Sequence, residues 1–128
     1  ISFSKVDKIS IDSEAFNGCI DLKKFVINQA SLIILDENCF SGANNLYSLE
    51  LNSDSIIFAN SGICSFSLTD ISIKTAQNIF INSQTFKNCQ SLKNLTISSS
   101  SKISVFKNAF NNNFYLQKVN FEYNSVGI

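Results

Sequence analysis

Histidine, arginine, proline, methionine and tryptophan are all missing from this chain of 128 residues. Without histidine there is no Ser-His or Cys-His pair to generate a nucleophile. A tetrahedral zinc site would need all 4 cysteines at once. Without arginine, the planar bidentate contacts common in phosphate and base recognition are lost. The 10 basic residues are all lysine and are balanced by 10 acidic ones. No basic stripe or basic amphipathic helix stands out, so neither nucleic acid nor a membrane surface is an expected partner. The longest aliphatic run, Leu32-Ile33-Ile34-Leu35, falls far short of the ~20 residues that a membrane-crossing helix needs. Length alone predicts a single domain over residues 1–128.

One apolar phrase recurs where those residue types are missing. It reads Leu22-x-x-Phe25-x-Ile27, Leu46-x-x-Leu49-x-Leu51, Leu68-x-x-Ile71-x-Ile73, Leu92-x-x-Leu95-x-Ile97 and Leu116-x-x-Val119-x-Phe121. Its leucines are 24 residues apart, except for 22 between Leu46 and Leu68. A fixed period in this range is the mark of a solenoid of stacked coils. Within each phrase, apolar residues alternate with polar ones, as in a strand with one dry face. Successive copies are joined by a full coil, so these strands should stack in parallel. The chain opens on Ile1-Ser2-Phe3, the second half of the same phrase. Further residues, and any targeting segment, are therefore expected outside it.

A second short strand is predicted at Ile9/Ile11, Ile33/Leu35, Ile57/Ala59, Ile79/Ile81 and Ile103/Val105, supported by its β-branched content. A tight helical turn should follow. Asp12, Asp36, Asn60 and Asn82 are good N-caps for it. Next come a small residue (Ala15, Cys39, Gly62, Thr85, Ala109) and a large knob (Phe16, Phe40, Ile63, Phe86, Phe110). Gly18, Gly42, Asn88 and Asn112 suit the left-handed conformation that ends such a turn. The knobs predict an aromatic ladder in the core. In the third repeat the two missing residues lie between Ile63 and Leu68, which predicts a shortened outer turn; a hinge or contact site is the other reading.

The phrases Ala15-Phe16-Asn17-Gly18-Cys19-Ile20-Asp21-Leu22 and Thr85-Phe86-Lys87-Asn88-Cys89-Gln90-Ser91-Leu92 resemble the AF-x-x-C-x-x-L turn of the BspA-like leucine-rich repeats. The resemblance covers about five copies. It departs in the third copy, at Asn113 in the fifth, where cysteine is usual, and in lacking the usual proline before the second strand. It implies a mostly β leucine-rich-repeat solenoid of 22–24-residue coils, with a parallel sheet and short helical turns. It also implies a cell-surface adhesin or antigen that binds host proteins or other cells, although one fold serves many partners.

Cys19 and Cys89 are both expected to point inward, but they stand three repeats apart. At roughly 5 Å per stacked strand that is about 15 Å, beyond the ~7 Å within which two Cα atoms can be bridged. Cys39 and Cys64 lie in neighbouring coils, out of register. The expectation is four unpaired buried thiols, with a Cys39–Cys64 bridge as the alternative. Spacing forbids a four-cysteine metal site, and no cofactor is implied. A polysaccharide-cleaving parallel β-helix would be the enzymatic rival, but it usually carries an acidic or arginine cluster on one sheet. Here the polar strand positions mix lysine, serine, threonine, asparagine and isolated acids, so neither catalysis nor a small-molecule substrate is expected.

Binding is expected on the polar side of the leucine-phrase strands, through Lys23, Lys24, Tyr47, Glu50, Asp70, Lys93, Asn94 and Lys118. Tyr47 is the one aromatic anchor of this face. Asn94-Leu95-Thr96 is the only glycosylation sequon in the chain, and Asn94 faces outward. Together these readings predict an extracellular or cell-surface module that binds a protein, cell-surface or extracellular-matrix ligand. An intracellular leucine-rich-repeat scaffold is the alternative. The apolar ends, Ile1-Phe3 and Phe121-Tyr123, would normally be covered by a capping repeat, and they predict end-to-end self-association of this segment when isolated.

Overall fold

The alternation of apolar and polar residues becomes nine parallel strands among the described residues: β1 Ser2–Phe3, β2 Val6–Ile11, β3 Lys24–Leu35, β4 Ser48–Ala59, β5 Asp70–Thr75, β6 Asn78–Ile81, β7 Asn94–Ser99, β8 Lys102–Val105 and β9 Lys118–Tyr123. The computed structural model describes residues 1–123 apart from 88, 112, 114 and 115, and no side chain at 123. The expected turn stops at Asn88 and Asn112 and the Tyr123 side chain therefore lie outside the described residues. The chain winds as a β-solenoid of about five coils, each coil hydrogen-bonded to the next.

The leucine phrases form one arm of each coil, in the order β1-β3-β4-β5-β7-β9. Their inward residues stack in two columns, Phe25-Leu49-Ile71-Leu95-Val119 and Ile27-Leu51-Ile73-Ile97-Phe121. The first four members of each column are buried. The second arm stacks Ile9-Ile33-Ile57-Ile79-Ile103 and Ile11-Leu35-Ala59-Ile81-Val105. In the second and third coils the two arms form single 12-residue strands, β3 and β4, instead of two short ones. Later coils break at the corner, between β5 and β6 and between β7 and β8.

Hydroxyl groups hold that corner. Ser53 Oγ donates to the Ser31 carbonyl at 3.1 Å and Thr75 Oγ1 to that of Ser55 at 2.8 Å. Ser99 Oγ donates to the Gln77 carbonyl. Each hydroxyl thus serves a carbonyl of the preceding coil, where the bend interrupts the backbone ladder. All three hydroxyl-bearing residues are buried, and a buried hydroxyl needs such a partner.

The expected helical turn is replaced by successive tight turns, and the described residues contain no helix. Ala15 N donates to Asp12 O, Asn17 N to Glu14 O and Cys19 N to Phe16 O, each across three residues. Glu14, Asn38, Gln84 and Asn108 have φ between 55° and 62°, a left-handed conformation that a right-handed helix cannot continue through. Gly62, at φ 69°, takes the same place in the third coil, one step earlier than the small-residue slot expected for it. The expected caps are used otherwise. Asn60 Nδ2 donates to Asp36 Oδ1 at 3.1 Å and Asn82 Nδ2 to Asn60 Oδ1 at 2.7 Å, a side-chain ladder across three coils. The aromatic ladder forms in two pieces, Phe16–Phe40 at 5.3 Å and Phe86–Phe110 at 5.1 Å between ring centroids. Ile63 interrupts it.

Leu95 and Phe86 are buried as the period predicts. Leu95→Ala should lower unfolding free energy by ~2–5 kcal/mol, measured by denaturant titration. Thr75→Val keeps the shape at the corner but strips the Ser55 carbonyl of its donor. It should cost about 1–3 kcal/mol in the same measurement, and an unchanged midpoint would show that the corner hydroxyl is dispensable.

Candidate functional site

Inward residues are committed to packing, so binding chemistry has to come from the outward positions and the turns. On the first arm, strand register lines up Lys24, Ser48, Asp70, Asn94 and Lys118 in one row. Val26, Glu50, Ser72, Thr96 and Asn120 form the next. A third row, Lys23, Tyr47, Thr69, Lys93 and Gln117, is joined by backbone bonds such as Tyr47 N to Lys23 O and Gln117 N to Lys93 O. The eight residues predicted for binding fall on these three adjacent rows. All are exposed except Glu50, which is partly covered.

Lysines bracket this face and carboxylates occupy its middle. Asn94 Nδ2 donates to Asp70 Oδ1 at 2.9 Å, and Thr69 Oγ1 donates to Asp70 Oδ2 at 2.7 Å. The Asp70 carboxylate is therefore held in place by both neighbours. A shallow depression of about 240 Å³ opens between Ser48, Glu50, Asp70, Ser72, Asn94 and Thr96. Tyr47 stands at the edge of the face, 49% exposed. Among the described residues, no group of three or more side chains could hold a metal ion. This arrangement offers hydrogen bonds, charges of both signs and one aromatic contact.

Sequence reasoning overlooked the outward face of the second arm. Leu32 pairs with Ile56, while Ile34, Phe58 and Phe80 line up beside them. All five are only partly covered, and the Phe58 and Phe80 rings stack at 4.9 Å. Lys8 and Lys102 continue the Leu32-Ile56 row at its two ends. The signal was present in the strand alternation, since the residues between the inward isoleucines are themselves apolar.

Cys64 and Cys89 form a disulfide, with Cα atoms 5.3 Å apart. Neither the four free thiols nor the Cys39–Cys64 alternative holds. The shortened third turn advances Cys64 relative to the strand columns, which brings it beside Cys89 of the next coil. Cys39 is buried and unpaired as expected, whereas Cys19 is unpaired but exposed and not buried, because its turn has a neighbouring turn on one side only. Burial pushes the Cys39 thiol from 9.0 up to about 12, with Asp36 adding to the shift and backbone hydrogen bonds opposing it.

A protein-family model described as BspA type leucine rich repeat region matches residues 9–128 in 6 copies. No curated protein and no solved structure matches the chain.

Denatured protein without reductant should yield two reactive thiols, Cys19 and Cys39, and four after reduction. Four thiols before reduction would disprove the bridge. In the folded state Cys19 should react quickly with a thiol reagent and Cys39 slowly. A buried thiol that stays neutral favours folding less once the unfolded chain can ionise. The Cys39 contribution is therefore complete below pH 9.0 and lost as pH rises towards about 12. Between those values, the stability gap between wild type and Cys39→Ala should shift in favour of the variant.

Proposed function

The chain belongs to the BspA-type leucine-rich repeat family, and from that premise we propose that it is an extracellular or cell-surface adhesion module. Repeats of this kind generally mediate protein–protein interaction on a typically non-catalytic scaffold, and in bacteria they are commonly surface-associated. The proposed ligand is a protein of a cell surface or extracellular matrix, bound on the first-arm face. The observation that carries this reading is the mostly polar face over five stacked strands, interrupted at Val26, with lysines at both ends, carboxylates between them and Tyr47 at its edge. Lys23, Lys24, Glu50, Asp70, Lys93, Asn94 and Lys118 supply its polar contacts. Five strands at roughly 5 Å spacing span about 20–25 Å, so a single segment of this length should bind weakly.

The Cys64–Cys89 bridge favours an oxidising compartment over the intracellular scaffold, since structural disulfides are rare in reducing cytosol. In a secretory setting that recognises the sequon, a glycan on Asn94 would replace one of its two Nδ2 hydrogens, crowd the bond to Asp70 and shield Lys93 and Lys118. Glycosylation would thus compete with binding on this face. Exposed apolar groups at both ends of the stack, Ile1 and Phe3 at one and Phe121 at the other, also support end-to-end association of two copies of this segment when isolated.

The triple variant Tyr47→Ala, Lys93→Ala, Lys118→Ala should stay folded, because none of these side chains faces the core. Its binding to immobilised extracellular-matrix protein should fall roughly tenfold or more, the loss expected when an interface anchor goes. Wild-type affinity in a folded triple variant, read by surface plasmon resonance, would move the site off this face. In sedimentation velocity, wild type should show dimers that increase with concentration, and a strictly monomeric profile would count against end stacking.

A further inference from the structure

Strand register stays in line through the third coil, with Leu49 opposite Ile71 and Ile57 opposite Ile79. The two-residue deficit therefore falls entirely on the turn between Asn60 and Leu68. That turn sinks between the full-length turns of the second and fourth coils and leaves an open notch of about 470 Å³, a volume within the range of small-ligand sites.

The floor of the notch is fixed. Gly62 N donates to Gln84 O at 2.9 Å and Ile63 N to Thr85 O at 3.0 Å. Ser67 Oγ donates to Leu46 O at 2.6 Å, and the Cys64–Cys89 bridge ties the floor to the next coil. A Cβ at Gly62 would stand 2.3 Å from Asn38 Oδ1, at a backbone φ of +69° that disfavours any side chain. At Gly62 the floor is thus bare backbone, with the Asn38 side-chain oxygen packed directly over it.

Primary amides line the walls. Asn38 and Asn44 stand on one side, Gln84 and Gln90 on the other. Among the described residues, none of their side chains makes a hydrogen bond. Each amide offers two donors and an acceptor. Phe66 sits at the rim and is 68% exposed, an apolar ring presented to solvent beside unpaired amides.

We infer that this notch is a binding site for a short neutral oligosaccharide. Sugar hydroxyls both donate and accept, as amides do, and the C–H face of a pyranose ring packs on an aromatic ring as other apolar surfaces do. The two ionisable side chains lining the notch, Glu37 and Lys87, have opposite signs, which suits an uncharged ligand. An extended peptide would require unpaired backbone groups to form a new ladder, and here Asn38 N, Gly62 N and Ile63 N already donate to the next coil. The inference is independent of the first-arm face, because the turn and the strand rows share no residue.

Saturation-transfer NMR with four probes, the neutral trisaccharides of glucose, galactose, mannose and N-acetylglucosamine, tests the site on the whole chain. At least one should receive magnetisation. Its affinity should fall roughly tenfold in Phe66→Ala, as for loss of an aromatic anchor, and should also drop in Gln90→Ala. Tyr47→Ala should leave it unchanged. Both notch residues are solvent-exposed, so a matching circular-dichroism melt establishes that each variant is folded. Silence from all four sugars, or binding that survives Phe66→Ala, would overturn the assignment, as would binding of a random-sequence peptide pool in place of the sugars.

Discussion

No coil of this solenoid can bury its own apolar residues. Ile71 is covered by Leu49 on one side and Leu95 on the other, and the same holds along every inward column. The hydrophobic term, about 25 cal/mol per Å² of apolar surface removed from water, is therefore collected only when coils stack in register. The backbone makes the same demand, since each strand satisfies its ladder through its neighbours. This mutual dependence accounts for the period: a residue is placed by what stands one coil away, so equivalent positions recur at a near-constant offset.

The third coil shows how strongly that offset is enforced. Two residues are missing, yet Leu49, Leu51, Ile57 and Ala59 keep their partners in the next coil. A slip of one residue would turn a whole strand inside out, exposing several buried isoleucines and leucines at ~1.5–3 kcal/mol each. Rearranging a solvent-facing turn costs far less. The turn therefore yields while the strands hold. Cys64 comes into reach of Cys89, Ile63 interrupts the phenylalanine ladder, and a notch opens between flanking turns. One local deletion produces all three features, because the core around it does not move.

The periodic parts of the fold were legible in the sequence because period and burial have the same cause. The inward columns, the parallel stacking and the exposure of Lys24, Tyr47 or Lys118 all follow from counting residues. The turn was legible only in part: Gly18 and Gly42 take the left-handed conformation expected of them, at φ 79° and 81°, but the rest was hidden. Its left-handed residues include Glu14 and Gln84, side chains that carry no local sign of that conformation, so Asp36, Asn60 and Asn82 read as helix caps when they form a ladder across coils. The corner hydroxyls were hidden by abundance: in a serine-rich chain, nothing marks Ser53 or Ser99 until the bend brings a carbonyl beside it. The disulfide required a phase shift between coils that spacing alone does not reveal. Of the candidate surface, counting located the polar rows but passed over Phe58 and Phe80, because alternation assigns a direction to a side chain and not a purpose.

Three chemically different surfaces result from one lattice. The first arm presents lysines, carboxylates and a tyrosine, the second arm presents a partly covered apolar patch, and the turns present amides around a rigid notch. Outward residues away from special features contribute little to stability, usually within ±0.5 kcal/mol, so the lattice leaves their identity almost free. The inward columns, by contrast, tolerate only apolar residues of suitable volume. Fold and recognition are thus carried by separate sets of residues on the same strands, alternating along the chain. Surface chemistry can change between one coil and the next while the stack remains intact, and the third coil extends this freedom to backbone length at the turn.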